Sequence, residues 1–171
     1  MKSKTEQPVD KTAKRTLPRE GKYLTFALGD DEFGLAIQEV KEIIGMMPIR
    51  SLPSAPAFIK GVINLRGQVI PVFDLRLRFA MEPVSYNERT CIIVVELKSA
   101  SKRVSTGVVV DSVNDVTNIR TEQLEPAPSF SFDLDSSYIQ GIAKTGDGVR
   151  IILDIERIFG RKELTYLGQA A

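Results

Sequence analysis

The chain has 171 residues, 43% hydrophobic and 26% charged, with a formal net charge of +1, which suits one domain, or two small ones, with a real core. The near-neutral charge and the lack of a Lys/Arg run in the folded region argue against nucleic acid or an anionic membrane as a partner. Histidine is absent, which removes the commonest general base, the commonest transition-metal ligand and every Ser-His or Cys-His nucleophile pair, so no catalytic, metal-binding or cofactor-binding residue is expected.

Residues 1–21 are polar, contain Pro8 and Pro18, and lack the apolar centre of a secretory signal; they read as a disordered cytoplasmic tail. Short runs rich in β-branched residues follow at 23–28, 32–37, 40–44, 61–65, 68–73, 90–97 and 104–110, which predicts an all-β chain. Gly29-Asp30-Asp31, Pro53-Ser54-Ala55-Pro56, Arg66-Gly67, residues 98–102 and Gly146-Asp147-Gly148 supply the turns between strands. Pro71 interrupts a clear strand, which places it at a sheet edge or where a missing N–H needs no partner, and argues against a central position for that strand.

Asp74 and Asp154 each end a strand and precede an apolar pattern, Leu75 to Phe79 and Ile155 to Phe159, so both are expected to cap a helical turn. Cys91 heads the run Ile92-Ile93-Val94-Val95 and is expected to be a buried structural thiol. A lone cysteine forms no internal disulfide, in keeping with a reducing compartment. Residues 161–169 read as a short amphipathic terminal helix. No apolar stretch approaches the ~20 residues of a membrane span.

The chain repeats itself. With an offset of 80, Gly61, Val69, Asp74 and Phe79 meet Gly141, Val149, Asp154 and Phe159, and apolar residues meet apolar residues almost throughout. With an offset of 73, residues 34–43 echo 107–116. Each unit is expected to form a small barrel, too marginal to be comfortable alone, so the two should pack together. The copies differ at one hairpin turn, Asn64-Leu65-Arg66-Gly67 against Lys144-Thr145-Gly146-Asp147-Gly148. The hairpin can therefore close without Arg66, whose plain reading is a solvated charge that keeps the tip soluble.

The run from Phe58 to Arg76, with Gly61-Val62-Ile63-Asn64-Leu65-Arg66-Gly67-Gln68-Val69-Ile70-Pro71-Val72-Phe73-Asp74-Leu75-Arg76 at its centre, resembles the signature of the CheW family of chemotaxis coupling proteins. The resemblance extends from about Lys22 to Phe159 through Tyr23-Leu24-Thr25-Phe26, Val40-Lys41-Glu42-Ile43 and Gly107-Val108-Val109-Val110-Asp111. It implies two pseudo-repeated five-stranded SH3-like β-barrels in an interleaved domain over residues 22–160, with motif hairpins at 61–76 and 141–154 and a tail at 161–171. It also implies a non-catalytic adaptor that is monomeric when isolated. Such an adaptor would link the cytoplasmic tips of chemoreceptors to the regulatory domain of the histidine kinase CheA. Its place would be the cytoplasm, recruited to membrane-associated receptor arrays without inserting into the membrane. A variant of this reading is an adaptor for a chemotaxis-like pathway controlling surface motility or development.

Residue by residue, the resemblance places Asn64, Arg66, Gly67 and Glu42 on the receptor-facing surface, where an apolar groove between the barrels would accept a helical hairpin. An ion pair between Arg66 and Glu42 is expected if the strands bring them together. Leu24, Ile37 and Val40 match the kinase-contacting edge, with ordinary barrel core as the competing reading. For Gly61 a backbone role, either a bulge or a close approach of strands, is favoured over partner contact. Asp74 and Asp154 mimic a pair of catalytic carboxylates, but their equivalent places in the two repeats favour capping.

Overall fold

A computed structural model describes residues 18–99, 102–127, 138–146 and 148–159. Most of the expected tail, the part of the 123–137 segment beyond residue 127, and the expected helix at 161–169 lie outside these residues. In chain order the elements are β1 (Gly21–Leu28), β2 (Asp31–Ala36), a 3-10 turn (Ile37–Glu39), β3 (Val40–Gly45), β4 (Ile59–Leu65), β5 (Gln68–Asp74) and α1 (Leu75–Arg78). After them come β6 (Cys91–Ser99), β7 (Lys102–Val110), β8 (Ser112–Ile119), a second 3-10 turn (Thr121–Gln123), β9 (Leu124–Pro126), β10 (Ile139–Thr145), β11 (Gly148–Leu153) and α2 (Ile155–Ile158).

These strands make two sheets, ordered β8-β1-β2-β11-β10-β9 and β3-β6-β7-β5-β4. Neighbours are antiparallel except β2 with β11 and β5 with β7. Each sheet therefore combines strands from both repeats: the β1–β2 and β6–β7 hairpins have exchanged places. The short β9 gives the first sheet six strands against the expected five.

The outer strands of each sheet are consecutive in the chain, so one connection can draw the two edges together. In the second sheet Arg50 N–H donates to Val62 O and Val62 N–H to Arg50 O, both at 2.9 Å, which joins the chain after β3 to β4. In the first sheet β9 does the same, pairing with β10 through Gly141, Ile142 and Ala143.

Burial explains the apolar runs. Along β6, Ile93, Val95 and Leu97 enter a central layer with Leu24, Phe26, Leu35, Phe73 and Ile155, while Ile92 and Val94 join Ile63, Ile70, Val72 and Val109 on the opposite face. A strand covered on both faces reads as a continuous apolar run, here Ile92 to Val95, instead of alternating. Phe73 packs on Phe159 with ring centroids 4.2 Å apart, so the ends of the two repeats meet inside the central layer. Cys91 is half-buried, not buried, and its thiol donates to the Arg89 carbonyl at 3.4 Å.

Of the two expectations for Pro71, the edge position fails, because β5 lies between β7 and β4, and the other, a missing N–H that needs no partner, holds. Val62, opposite Pro71, spends its N–H and C=O on Arg50, so the proline nitrogen faces away from β4; the ladder with β7 begins only at Val72. A central strand tolerates proline where the ladder has not yet started. Both aspartates cap as expected: Asp74 Oδ1 accepts from Leu77 N–H at 3.3 Å, and Asp154 Oδ1 from Glu156 N–H at 3.2 Å. Asp74 also accepts the Tyr86 hydroxyl at 2.7 Å, and burial together with this bond raises the Tyr86 pKa.

Candidate functional site

The β4–β5 hairpin closes through a two-residue turn, Arg66-Gly67, between the paired Leu65 and Gln68. Both turn residues have positive φ, 51° for Arg66 and 87° for Gly67, the conformation of a type I′ turn in which asparagine and glycine are preferred. A long side chain at the first position costs about 1 kcal/mol relative to glycine. Its counterpart in the second repeat is Gly146, with φ of 59°. The equivalent position therefore carries, once, the residue that a positive φ favours and, once, a strained arginine.

Asn64 holds that arginine in place, because its Oδ1 accepts the Gly67 N–H at 2.8 Å across the turn. Arg66 reaches over the open seam between the outer strands, where its Nη2 donates to Glu42 Oε2 on β3. The expected ion pair is formed, but with side-chain exposures of 68% and 32% it adds at most about 1 kcal/mol. Its chief effect is to fix two opposite charges on the surface.

Exposed apolar residues lie near these charges in sequence, Ile43 at 41% and Val69 at 51% exposure. Their counterparts Val116 and Val149 are equally exposed in the other sheet, so apolar surface alone does not distinguish the copies. The charges do: Glu42 corresponds to Asp115, which accepts the Thr25 hydroxyl at 2.8 Å, and Arg66 to glycine. A polar cleft of about 390 Å³ lies elsewhere, between Asp30, Asn87, Arg89 and Asn114, and none of Glu42, Asn64, Arg66 and Gly67 lines it. A protruding hairpin needs no pocket to meet a macromolecular partner.

The expected kinase edge is only partly at the surface. Leu24 is 1% exposed, within the central layer and paired with Leu35 and Val116, so its side chain takes the core place that was its competing reading. Ile37 and Val40 are half-buried, resting on the same layer with part of their surface free. Glu39, between them, has its pKa pushed up to about 7 by burial and then by the Asp154 and Glu156 carboxylates.

A raised carboxyl pKa means that folding favours the protonated form, so this group's contribution is best below the ordinary glutamate range and worsens as pH climbs to about 7. Glu39→Gln should therefore raise stability by about 1–2 kcal/mol near pH 8, allowing for screening of a partly exposed group, and change it little near pH 5. Thermal melts at the two pH values check this; equal shifts would contradict it.

One cluster went unrecognised in the sequence. Arg76, two residues beyond β5, makes a bidentate pair with Asp111, Nε to Oδ1 at 2.8 Å and Nη2 to Oδ2 at 2.7 Å, and donates from Nη1 to the Glu82 carbonyl. Asp111 also accepts Gly29 N–H at 2.7 Å, and its own N–H donates to Ala27 O. The Arg76 guanidinium lowers the Asp111 pKa, so the pair's contribution is present above the ordinary carboxylate range and is lost as pH falls through the lowered value. Both residues lie within the motif runs 58–76 and 107–111; the sequence signal for the pair is that Asp111 aligns with Gln38 and Arg76 with Glu156, so only one repeat can form it.

Among the described residues no group of three or more acidic, cysteine or histidine side chains could hold a metal, and no helix is long and apolar enough to cross a membrane.

Residues 22–163 match the CheW-like domain. The chain is 39% identical to a chemotaxis protein CheW of Klebsiella aerogenes over 95% of both chains, and 30% identical to one of Bacillus subtilis over 82% of this chain and 88% of that one. Its fold matches the crystal structure of the scaffolding protein TtCheW from Thermoanaerobacter tengcongensis with a TM-score of 0.75 and 34% identity, covering 84% of this chain and 97% of that one. The doubled β architecture and the long motif thus have one explanation: the chain belongs to the CheW-like family, as a non-catalytic scaffold that couples chemoreceptors to the kinase CheA in chemotaxis.

Proposed function

We propose that the Arg66-Gly67 tip, with Glu42 beside it and Asn64 beneath it, is the surface that meets the cytoplasmic tip of a receptor, and that Ile37 and Val40 mark the edge that meets the CheA regulatory domain. The observation that carries this reading is the strained Arg66 set against the unstrained Gly146. Strain that a glycine would relieve persists where the side chain has another use. Asn64 acts by locking the turn, and Glu42 by holding the guanidinium over the seam. Leu24 supports the kinase edge from within.

The domain over residues 22–160 works in the cytoplasm, and it reaches the membrane only through the receptors it joins. Ile37→Lys tests the division of surfaces, since a lysine stem can lie over the same apolar layer while its charge stays at the rim. Calorimetric titration should find binding to the CheA regulatory domain weakened about tenfold or more and binding to the receptor tip changed less than about twofold. Loss of receptor binding with kinase binding intact would reverse the assignment.

A further inference from the structure

We infer that Arg76 and Asp111 are positioning residues for the receptor-facing hairpin, clamping its base to both sheets so that Arg66 is presented in one orientation. This rests on the proposed role of Arg66. The chain path supplies the reason: β5 begins just after the Arg66-Gly67 turn and runs straight into Asp74, α1 and Arg76. Arg76 then grips Asp111, which sits where the chain crosses from β7 in one sheet to β8 in the other. Through Gly29 N–H and Ala27 O the same aspartate is tied to the β1–β2 hairpin. One carboxylate therefore joins the hairpin base, the crossover and the opposite sheet.

The two repeats provide an internal control. At the equivalent crossover from β2 to β3, beside Ile37 and Val40, the aligned residues are Gln38 and Glu156, which cannot form such a pair. The clamp thus acts on the receptor-facing hairpin and leaves the kinase-facing edge outside its control. With side-chain exposures of 13% and 25% the pair is shielded from water, and bidentate geometry fixes orientation as well as distance.

Asp111→Asn keeps the shape and one acceptor for Gly29 while removing the charge; Arg76→Lys keeps the charge while removing the fork. Each full-length variant, confirmed as folded at room temperature, would carry spin labels at Val69 and Val116 in a Cys91→Ala background, with unlabelled protein used for binding. The distance distribution between labels should broaden, affinity for a receptor signalling tip should fall about five- to tenfold, and affinity for the CheA regulatory domain should change less than about twofold. Unchanged distances and receptor affinity in both variants would overturn the inference, as would equal loss of both affinities, which marks a merely structural pair. If the distances broaden and receptor affinity falls although Arg66→Glu binds receptor normally, the clamp stands and the reading of Arg66 falls.

Discussion

Gly61→Ala should destabilise the protein by about 3 kcal/mol or more, lowering the thermal midpoint by about 6–12 °C. Gly61 has φ of 143°, a region L-residues rarely adopt, and a Cβ there would stand 2.0 Å from Arg50 O and 2.6 Å from its carbonyl carbon. That carbonyl accepts the Val62 N–H in the bridge joining the edges of the second sheet, so the alanine would strain its own backbone and push the bridge apart together. Gly141, the counterpart, provides a contrast. A Cβ there meets Pro18 Cγ at 2.4 Å and Glu125 O at 2.7 Å without a positive φ, so Gly141→Ala should be milder, provided that the entering chain at Pro18 moves aside. Thermal melts of the two variants check the ranking; a Gly61→Ala midpoint within about 2 °C of the parent would contradict it.

Arg66→Glu should abolish most receptor-coupled activation of the kinase while moving stability by no more than about 1 kcal/mol. It places two carboxylates face to face across the seam, turning an attraction on the proposed receptor surface into a repulsion. Arg66→Gly separates charge from strain. It installs the residue that Gly146 already uses and should leave stability equal or about 0.5–1 kcal/mol higher while still weakening coupling. A melt paired with a reconstituted kinase assay measures both quantities. Unfolding of either variant, or undiminished coupling in both, would contradict the assignment.

Much of the fold was legible because it is local. Turn residues and β-branched runs mark the strands, and the offset of 80 maps β4, β5 and α1 onto β10, β11 and α2. What local pattern does not encode is which strands share a sheet. The exchange of hairpins between the repeats depends on the parallel β5–β7 and β2–β11 pairs, contacts between distant segments. The same gap explains Pro71, whose tolerance depends on where a neighbouring ladder begins, and Leu24, which reads as an edge residue until the second sheet covers it. At the site, the Arg66–Glu42 pair was legible from resemblance, whereas the strain at Arg66 needed the backbone angles. The Arg76–Asp111 clamp stayed hidden because each residue looked ordinary within its own motif.

The adaptor role is tested most directly by mixing the full chain with a receptor signalling tip and the CheA regulatory domain and measuring complex mass by light scattering. The account predicts a ternary complex at tens of micromolar or below that forms only when this chain is present. A chain that binds neither partner at that concentration, or binds the two only in mutually exclusive complexes, would contradict it.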